Sequence, residues 1–429
     1  MADSRKLNSC KGLRGRILCF ALTSVPVIVI AAPPEIYVGF DARASDNIAE
    51  TADDKQSDIE NRAFLRGSYQ TDPGRCVASI DGQISYSVYA DSTFDPETRF
   101  DGGALGRCEL ATGLYWSAEN QISDVERSSR FGNTPDNRTR KNIFRTGPDY
   151  RWRLSPRDSI QFSSRYENTE FSDPEDIDSN RVTGSIAWNH LFSSDFSAGL
   201  STAISEAELD TDADIRTQTV SVTFNKRWAT TSLSGSLGVS EIETEQGSFK
   251  QKSDGLVGDL NLTRVLDSSA SVYVRASREL TDQTSDFDIR FDDFTFERQE
   301  SITLEATIVE TGLNKTFSNG DSMVLAAYAN RSDYLDSAEQ EDRIGLRAGY
   351  TRRLSPSVSA VANARYDYLT FESDQSDDQV TGLDIGLNYQ ASRRLELRGR
   401  IGRNERTSDN ATQEYEENWV LVGIEYRLR

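Results

Sequence analysis

Residues 350–359 read YTRRLSPSVS, and residues 150–159 read YRWRLSPRDS, so one ten-residue pattern recurs 200 positions apart. Each copy places Leu-Ser-Pro after arginines and leads into alternating apolar and polar residues, SIQFSSRY in the first copy and SVSAVANARY in the second. Serine and proline between extended runs are typical of a tight turn. The repeat therefore predicts two equivalent turns in a fold built from many hairpins.

Apolar residues alternate with polar ones along most of the chain. In VTGSIAWNHLF, Val182, Ile186 and Trp188 fall on one side of an extended strand, whereas Thr183 and Ser185 fall on the other. Period two is the side-chain period of a β-strand whose two faces meet different surroundings. The chain is therefore predicted to be all-β. The same pattern recurs at 196–203, 220–225, 232–239 and 383–389.

The predicted connections alternate between short turns and longer acidic segments. Short turns are expected at 154–157, 192–195, 229–232, 266–269, 317–320, 354–357 and 391–394, with successive starts 38, 37, 37, 51, 37 and 37 residues apart. Between them lie SDPEDID, LDTDADI, DSAEQED, ESDQSDDQ and TSDNATQEYEEN. The one long interval contains an insertion, DQTSDFDIRFDDFTFE, at 282–297. The repeating unit is a strand, an acidic connection, a second strand and a short turn.

Strands of about 13 residues, tilted by about 45°, advance roughly 30 Å, which is the thickness of the bilayer core. A strand in hydrocarbon needs both edges paired, so the sheet has to close. We therefore predict a transmembrane antiparallel up-and-down β-barrel of about 18–20 strands, with short periplasmic turns and long acidic outer loops, in the outer membrane of a Gram-negative bacterium. The first strand is expected near EIYVGFDAR and the last at WVLVGIEYRL.

The N-terminus has the pattern of a secretory signal peptide. Five basic residues at 5–16 precede the apolar run ILCFALTSVPVIVIAA, which is short for a transmembrane helix and ends in small residues. We predict that residues 1–31 are cleaved and that residues 32–429 form a single barrel domain. The mature chain then keeps 43 basic and 68 acidic residues, a net charge of −25, which argues against nucleic-acid binding.

Two cysteines remain after this cleavage, Cys76 and Cys108, each in a Gly-Arg-Cys context. Cys76 begins one predicted strand and Cys108 ends the next, so both are expected near the same rim of the barrel. In an exported chain such a pair predicts one disulfide that links a hairpin, and two free thiols are the alternative.

Motifs for catalysis are missing from the sequence. Its one histidine, His190, shares a strand face with Ile186 and Trp188 and has no evident carboxylate partner, and there is no G-x-S-x-G, zinc-binding or nucleotide-binding motif. We therefore predict no enzymatic activity, no metal site and no cofactor. The acidic segments carry enough carboxylates for Ca²⁺ or Mg²⁺, but none has the EF-hand spacing, and solvated loops are the preferred interpretation.

The predicted lumen face carries charged residues opposite the apolar stripes, as a water-filled or plugged lumen requires. Arginine–carboxylate pairs that hold adjacent strands together are one interpretation of them. Arginine rows that attract anionic solutes and hydrogen-bond sugar hydroxyls are the other. The candidate lumen-lining residues are Arg165, Arg227, Arg275, Arg347, Arg365, Asp384, Glu396, Arg398 and Arg400.

Three segments resemble the outer-membrane β-barrels associated with the PEP-CTERM/exosortase system. They are YVGFDARASDNIAE, RTGPDYRWRLSPRDSIQFSSRYENTEFSD and GLDIGLNYQASRRLELRGRIGRNERTSD, and the resemblance covers residues 35–429. The chain departs from common outer-membrane barrels by ending in Arg429 rather than Phe. The resemblance implies a role in the passage or secretion of a cell-surface polysaccharide.

Together these patterns predict a passive outer-membrane channel for polar solutes or polysaccharide, acting in exopolysaccharide export. The alternative is a non-conducting structural or surface-binding barrel whose lumen is closed by inward loops such as 282–299. The expected partners are outer-membrane lipid and lipopolysaccharide, and the resemblance adds a polysaccharide substrate and periplasmic export components.

Overall fold

The computed structural model describes residues 34–298, 302–337 and 339–429, and the predicted signal peptide at 1–31 lies outside these ranges. Within them, strands pair antiparallel with their neighbours in sequence. The first ten are β1 (Glu35–Ser45), β2 (Asp58–Gln70), β3 (Cys76–Tyr89), β4 (Glu97–Ala111), β5 (Leu114–Glu126), β6 (Arg138–Arg153), β7 (Asp158–Phe171), β8 (Ser179–Ser193), β9 (Phe196–Leu209) and β10 (Ala213–Arg227). The others are β11 (Thr231–Gln246), β12 (Phe249–Asp267), β13 (Ala270–Asp282), β14 (Thr303–Thr316), β15 (Ser322–Tyr334), β16 (Gln340–Ser355), β17 (Val358–Phe371), β18 (Ser376–Ser392), β19 (Leu395–Ser408) and β20 (Tyr415–Arg427).

The sheet closes on itself because β1 pairs with β20 as well as with β2. Val38 lies opposite Tyr426 near one end of this seam, and Ser45 lies opposite Trp419 near the other. A closed sheet has no edge strand, so the backbone groups of each strand find partners on both sides. The predicted all-β up-and-down barrel is confirmed, with a 20-stranded sheet.

Large apolar side chains cover the outside of the barrel in a broad belt. Leu237, Ile344 and Val422 are 63%, 60% and 63% exposed, whereas large apolar residues of a soluble domain are mostly buried. Their strand neighbours, such as Ser236 and Gly423, point to the opposite face. The predicted alternation thus separates a lipid-facing surface from a polar lumen.

The two rims of the barrel carry different connections. Turns of two to five residues join the strands at one rim, as at 112–113 and 317–321, and longer connections such as 46–57 and 127–137 lie at the other. In outer-membrane barrels the short turns face the periplasm, so we name the two rims the periplasmic end and the outer end.

The predicted acidic connection LDTDADI is reduced to a turn at 210–212, and the connection at 247–248 has only two residues. There the strands continue past the apolar belt, because their charged residues pair across the hairpin. Lys250 contacts Glu243 at 2.5 Å, and Lys252 contacts Glu241 at 2.8 Å. Cross-strand pairs of opposite charge favour an extended hairpin over a loop.

Apolar residues change sides towards the outer end. In β9, Leu200 and Ile204 face outward, whereas Ala207 and Leu209 are buried inside the barrel. Beyond the bilayer the outward face meets water, so the apolar core moves into the interior. One such cluster, spread over β9 to β13, contains Ala207, Leu209, Ala213, Ile215, Ile242, Val257 and Leu280.

Two tyrosines inside the barrel lie flat on glycines of the adjacent strand. A Cβ atom added to Gly312 would come within 2.3 Å of the Tyr273 ring, and one added to Gly345 would come within 2.2 Å of the Tyr328 ring. Only a residue without a side chain permits this approach, and the ring in turn covers the backbone that glycine leaves bare. These contacts fix both rings against the wall.

Cys76 and Cys108 lie directly opposite each other on β3 and β4. Their Cα atoms are 4.0 Å apart, and their sulfur atoms are bonded in the structure. The bond links two strands that already pair, so it reinforces one hairpin near the periplasmic end.

The assignment of faces predicts opposite effects for two neighbouring substitutions. Leu237→Arg places a cation in hydrocarbon and should destabilise the inserted barrel by about 2–4 kcal/mol, whereas Ser236→Arg places it in the lumen beside Asp259 and should cost far less. The measurement is folding into lipid vesicles in a urea series, followed by the mobility shift of folded barrels on unheated gels. Equal losses for both variants would contradict the assignment.

Candidate functional site

Residues 283–298, between β13 and β14, fold into the barrel, and we name them the constricting segment. They include a short helix, α1 (Phe287–Arg290). The segment contacts β6 and β7 on one side of the lumen and β15, β16 and β17 on the other. The sequence identified this insertion, but only the non-conducting alternative expected it to fold inward.

One lysine anchors the constricting segment to β6. Lys141 is fully buried, and its Nζ donates to the carbonyl of Gln283 at 3.0 Å, to the carbonyl of Ser285, and to Oδ1 of Asp288 at 2.8 Å. A buried ammonium is tolerated only where acceptors replace its water. The three acceptors therefore fix the start of the segment against this wall.

Two arginines on the same side add ion pairs. Nη2 of Arg145 lies 3.0 Å from Oδ2 of Asp286, and Nη2 of Arg181 lies 2.6 Å from Oδ2 of Asp282, the last residue of β13. Burial acts to raise the pKa of Asp286, but Arg290 and Arg145 outweigh it and hold that pKa below its usual value. Asp286 is therefore charged at neutral pH, as the ion pair requires.

Asp293 ties the constricting segment to the opposite wall. Its carboxylate lies 2.8 Å from Nη2 of Arg347, and its backbone carbonyl accepts from Nδ2 of Asn330 at 2.6 Å and from Nη1 of Arg343 at 3.2 Å. Burial raises the pKa of Asp293 despite the arginines around it. With anchors on both walls, the segment crosses the lumen as a strap.

Aromatic side chains of the constricting segment fill the space beside β14. Phe287 and Phe296 are fully buried, and both rings contact Phe294, at centroid distances of 4.6 Å and 5.2 Å. They pack on Leu304 and Ile308, which face inward from β14. Burying one phenylalanine contributes about 1.5–3 kcal/mol, so this cluster holds the segment against the wall and closes this side of the lumen.

A cavity of 380 Å³ remains between the constricting segment and the wall formed by β2 to β6. Its charged lining contains both signs, and such a lining favours water and polar solutes over apolar molecules. The arginines are Arg62, Arg99, Arg138, Arg343 and Arg365, and the carboxylates are Asp101, Asp124, Glu126, Asp288 and Asp292.

Two further lumen cavities adjoin this one. A cavity of 250 Å³ towards the outer end shares Arg99, Asn133 and Arg138 with it. A cavity of 670 Å³ shares Arg365 and extends to Ser322 near the periplasmic end. The three cavities therefore form a row that passes the constricting segment from one end of the barrel towards the other.

The strand register places all nine predicted lumen-lining residues on the inward face, and four of the arginines form ion pairs there. Pairing reduces the charge that such an arginine presents to a solute, so these four hold strands and the constricting segment in place. Asp41, for example, joins two strands of the wall, because Arg62 on β2 and Arg398 on β19 both contact its carboxylate at 2.7 Å. The pairs are Arg165–Asp149, Arg347–Asp293, Arg365–Asp367 and Arg398–Asp41.

The other five predicted residues have no oppositely charged group within 4.0 Å in the described part of the chain. The guanidinium of Arg275 lies 5.1 Å from the centroid of the Tyr273 ring, and Asp384 accepts a hydrogen bond from Asn363 at 2.9 Å. Their charges act on the lumen without an ionic partner. The five are Arg227, Arg275, Asp384, Glu396 and Arg400.

The prediction that His190 lacks a carboxylate partner is wrong. Asp158 lies directly opposite on β7, with Oδ1 at 2.8 Å from Nδ1 of His190, and only the strand register brings the two together. The Ser155 hydroxyl donates to Asp158 at 2.7 Å, so it is not aligned on the imidazole as a nucleophile. The ring of Phe192 packs at 4.6 Å from the imidazole on this outward face, as in an interfacial aromatic belt.

Within the described ranges, no three His, Cys, Asp or Glu side chains are placed to share a metal ion. No helix among the residues described has the length and apolarity needed to cross a membrane.

Sequence reasoning missed the residues that hold the constricting segment. Lys141 precedes an alternating run in which Phe144, Tyr150 and Trp152 face lipid, so its inward position was readable, but its partner was not. The insertion at 282–297 carries four phenylalanines among its carboxylates. That many aromatic residues favour a buried segment over a solvated loop, so the composition of the insertion was the sequence signal for its inward folding.

The profile of a family described as "Putative beta-barrel porin 2" matches residues 345–428, which cover most of β16 and all of β17 to β20. The architecture is that of an outer-membrane β-barrel, and its C-terminal strands are similar to this porin family. The matched strands include β20, which closes the sheet against β1, and the apolar belt supplies the surface that lipid requires.

Several solved outer-membrane proteins are similar in structure at low sequence identity. The siderophore receptor PiuA from Acinetobacter baumannii has a TM-score of 0.44 and 10% identity, covering 93% of this chain and 82% of that chain. The siderophore receptor PirA from Pseudomonas aeruginosa has a TM-score of 0.45 and 12% identity, covering 92% and 81%. The outer membrane protein opdK from Pseudomonas aeruginosa has a TM-score of 0.42 and 9% identity, covering 92% and 99%. No curated protein matches the sequence.

The anchor on β6 gives a prediction for proteolysis. Lys141→Met keeps the side-chain length but leaves Asp288 buried without its cation, so the constricting segment should detach. We expect trypsin to cut the folded variant at Arg290 at least about tenfold faster than wild type, measured by mass spectrometry of the fragments. Lys226→Met is the matched control, because Lys226 pairs with Asp195 at the exposed periplasmic rim. Equal cleavage at Arg290 in all three proteins would show that Lys141 is not the anchor.

The connection 46–57 contacts the connection 127–137 at the outer end through Glu50. Its Oε2 accepts a hydrogen bond from the backbone N–H of Asn133 at 2.8 Å. Burial, and then repulsion from Glu417, raises the pKa of Glu50 to about 7, from an ordinary value of 4.5. The pKa of Glu50 in the folded protein lies above its ordinary value, so the folded protein binds this proton more tightly than the unfolded chain does. The contribution of Glu50 to the free energy of unfolding is therefore complete below pH 4.5 and is lost as the pH rises through 7.

Glu50→Gln should therefore reduce the loss of thermal stability that wild type shows between pH 5 and pH 8. The measurement is Tm in detergent by circular dichroism at both pH values. Asp53→Asn, a change at an exposed position of the same connection, is the control and should leave the wild-type difference unchanged. A Glu50→Gln variant with the full wild-type pH dependence would refute the assignment.

Proposed function

We propose that this barrel is a passive channel for polar solutes. The observation that carries the proposal is the row of three lumen cavities, with charged walls of both signs where the row passes the constricting segment. Charged and hydrogen-bonding walls replace part of a solute's hydration, so ions and small polar molecules cross while apolar molecules remain in lipid.

The constricting segment sets the route and the size of solute in this proposal. The aromatic cluster beside β14 fills one side of the lumen, so solutes pass along β2 to β6. The cavity there has a volume of 380 Å³, within the range of pockets that hold small molecules. We expect passage of inorganic ions and small sugars.

Export of a polysaccharide is the more specific form of the proposal. The resemblance of three segments to barrels of the PEP-CTERM/exosortase system supports it. The 670 Å³ cavity adds the rings of Tyr273 and Trp419 and the amides of Asn363 and Asn404, which are groups that stack on and hydrogen-bond sugars. With the constricting segment in place, a polymer would have to pass as a single extended chain.

A non-conducting barrel is the second candidate, and the anchoring of the constricting segment on both walls favours it. In that case the lumen serves only to stabilise the wall, and the acidic outer connections contact other surface molecules. The two candidates differ in whether the intact protein passes ions.

Conductance of the purified protein in planar lipid bilayers separates the two. We expect small, steady steps from wild type, and steps several-fold larger from a variant in which a short Gly-Ser linker replaces residues 284–297. The variant lacks the constricting segment but keeps the complete strand wall, so its conductance is that of the unobstructed barrel. A silent wild type beside a conducting variant would overturn the channel proposal in favour of the closed barrel.

The size of the solute is tested by swelling of vesicles that contain the protein. Ribose and glucose should enter wild-type vesicles, and entry should fall steeply for a trisaccharide. If oligosaccharides of many residues enter as fast as glucose in wild type, the constricting segment does not limit passage.

A further inference from the structure

Unpaired positive charge is concentrated at one end of this barrel. Of the 37 arginines in the described ranges, fifteen have no carboxylate within 4.0 Å of their side-chain nitrogens. Only Arg138 among the fifteen lies in the outer half of the barrel. The other fourteen lie in the periplasmic half, and they include Arg75, Arg157, Arg393 and Arg394 in the turns.

The acidic residues of the periplasmic half are in part already neutralised. Lys226 pairs with Asp195, and Lys315 pairs with Asp267 at 3.1 Å. The nine short turns contain four arginines and three aspartates. The turn arginines and the unpaired arginines at the periplasmic ends of the strands together give the periplasmic opening of the lumen, its periplasmic mouth, a positive charge.

Negative charge is concentrated at the other end. In the nine outer connections other than the constricting segment, as far as the structure describes them, 19 aspartates and glutamates stand beside three lysines and arginines. At 0.1 M salt the Debye length is about 10 Å, so fixed charges at a mouth control the ions that enter it. The outer mouth therefore enriches cations, and the periplasmic mouth enriches anions.

We infer that the barrel acts as an ionic rectifier that passes anions outward and cations inward more readily than the reverse. This inference rests on the proposed channel function and adds a direction to it. Two zones of opposite fixed charge in series along one pore form a junction. The solutes favoured for export are small anions that gather at the arginine-rich periplasmic mouth.

The sign of the rectification follows from the order of the zones. When the outer side is positive, cations enter from the acidic end and anions enter from the basic end, so both ions accumulate between the zones and conductance rises. When the outer side is negative, both ions leave that region and conductance falls. Higher current with the outer side positive is therefore expected.

The test is the current–voltage curve of single oriented channels in planar bilayers. A biotinylated tag after Arg429, next to the end of β20 at the periplasmic rim, marks orientation, because streptavidin added to one chamber binds only there. In 0.1 M KCl we expect about twofold or greater current with the outer side positive. In 1 M KCl, where the Debye length is about 3 Å, the ratio should approach one.

Matched variants tie the effect to the periplasmic arginines. Arg157→Gln, Arg393→Gln and Arg394→Gln combined remove three charges from turns without altering a strand, and the rectification ratio should fall towards one. The same three positions changed to lysine keep the charge and should keep the ratio. Retention of the ratio in the glutamine variant would overturn the inference.

The failure of this inference is distinct from failure of the channel proposal. A conducting wild type with a symmetric curve in 0.1 M KCl, or with higher current when the outer side is negative, contradicts the rectifier and leaves the channel standing. A wild type without conductance contradicts the channel itself.

Discussion

Closure of the sheet between β1 and β20 is the constraint on which the rest of the structure depends. Hydrocarbon offers no hydrogen-bond partner, so each unpaired backbone group at a strand edge in the bilayer would cost several kcal/mol. Closure removes both edges, and only the outward half of the side chains then has to be apolar. A chain with a mean hydropathy of −0.58 and a net charge of −21 builds a membrane-spanning wall in this way.

Closure at this strand number also creates an interior that side chains of the wall do not fill. The constricting segment occupies part of it through two kinds of interaction. Phe287 and Phe296 fill the side next to β14. Two ion pairs, Asp288–Lys141 and Asp293–Arg347, hold the segment to opposite walls, each with a nitrogen–oxygen distance of 2.8 Å. Because the segment enters from β13 and leaves to β14, the space beside it lies along β2 to β6, and the 670 Å³ cavity continues from there along β13 and β15 to β20.

Local pattern predicted the wall because alternation and turn chemistry are properties of adjacent residues. The interior depends on contacts between distant ones: Asp158 meets His190 only through the register of β7 and β8, and Lys141 meets Asp288 across 147 positions. No local pattern relates such residues. One further signal was readable, since the change of side of apolar residues, as in β9, marks where a strand leaves the bilayer.

The anchors of the constricting segment determine how the lumen can discriminate between solutes. They act on separate walls, so the segment leaves its place only if both sets break together. On one wall, Asn330 and Arg343 hold the backbone carbonyl of Asp293, so a passing ion that competes for the carboxylate leaves those bonds intact. Discrimination then depends on a fixed cavity size and on fixed charges. Since the charges of the two ends differ in sign, the wall itself gives the passage a direction.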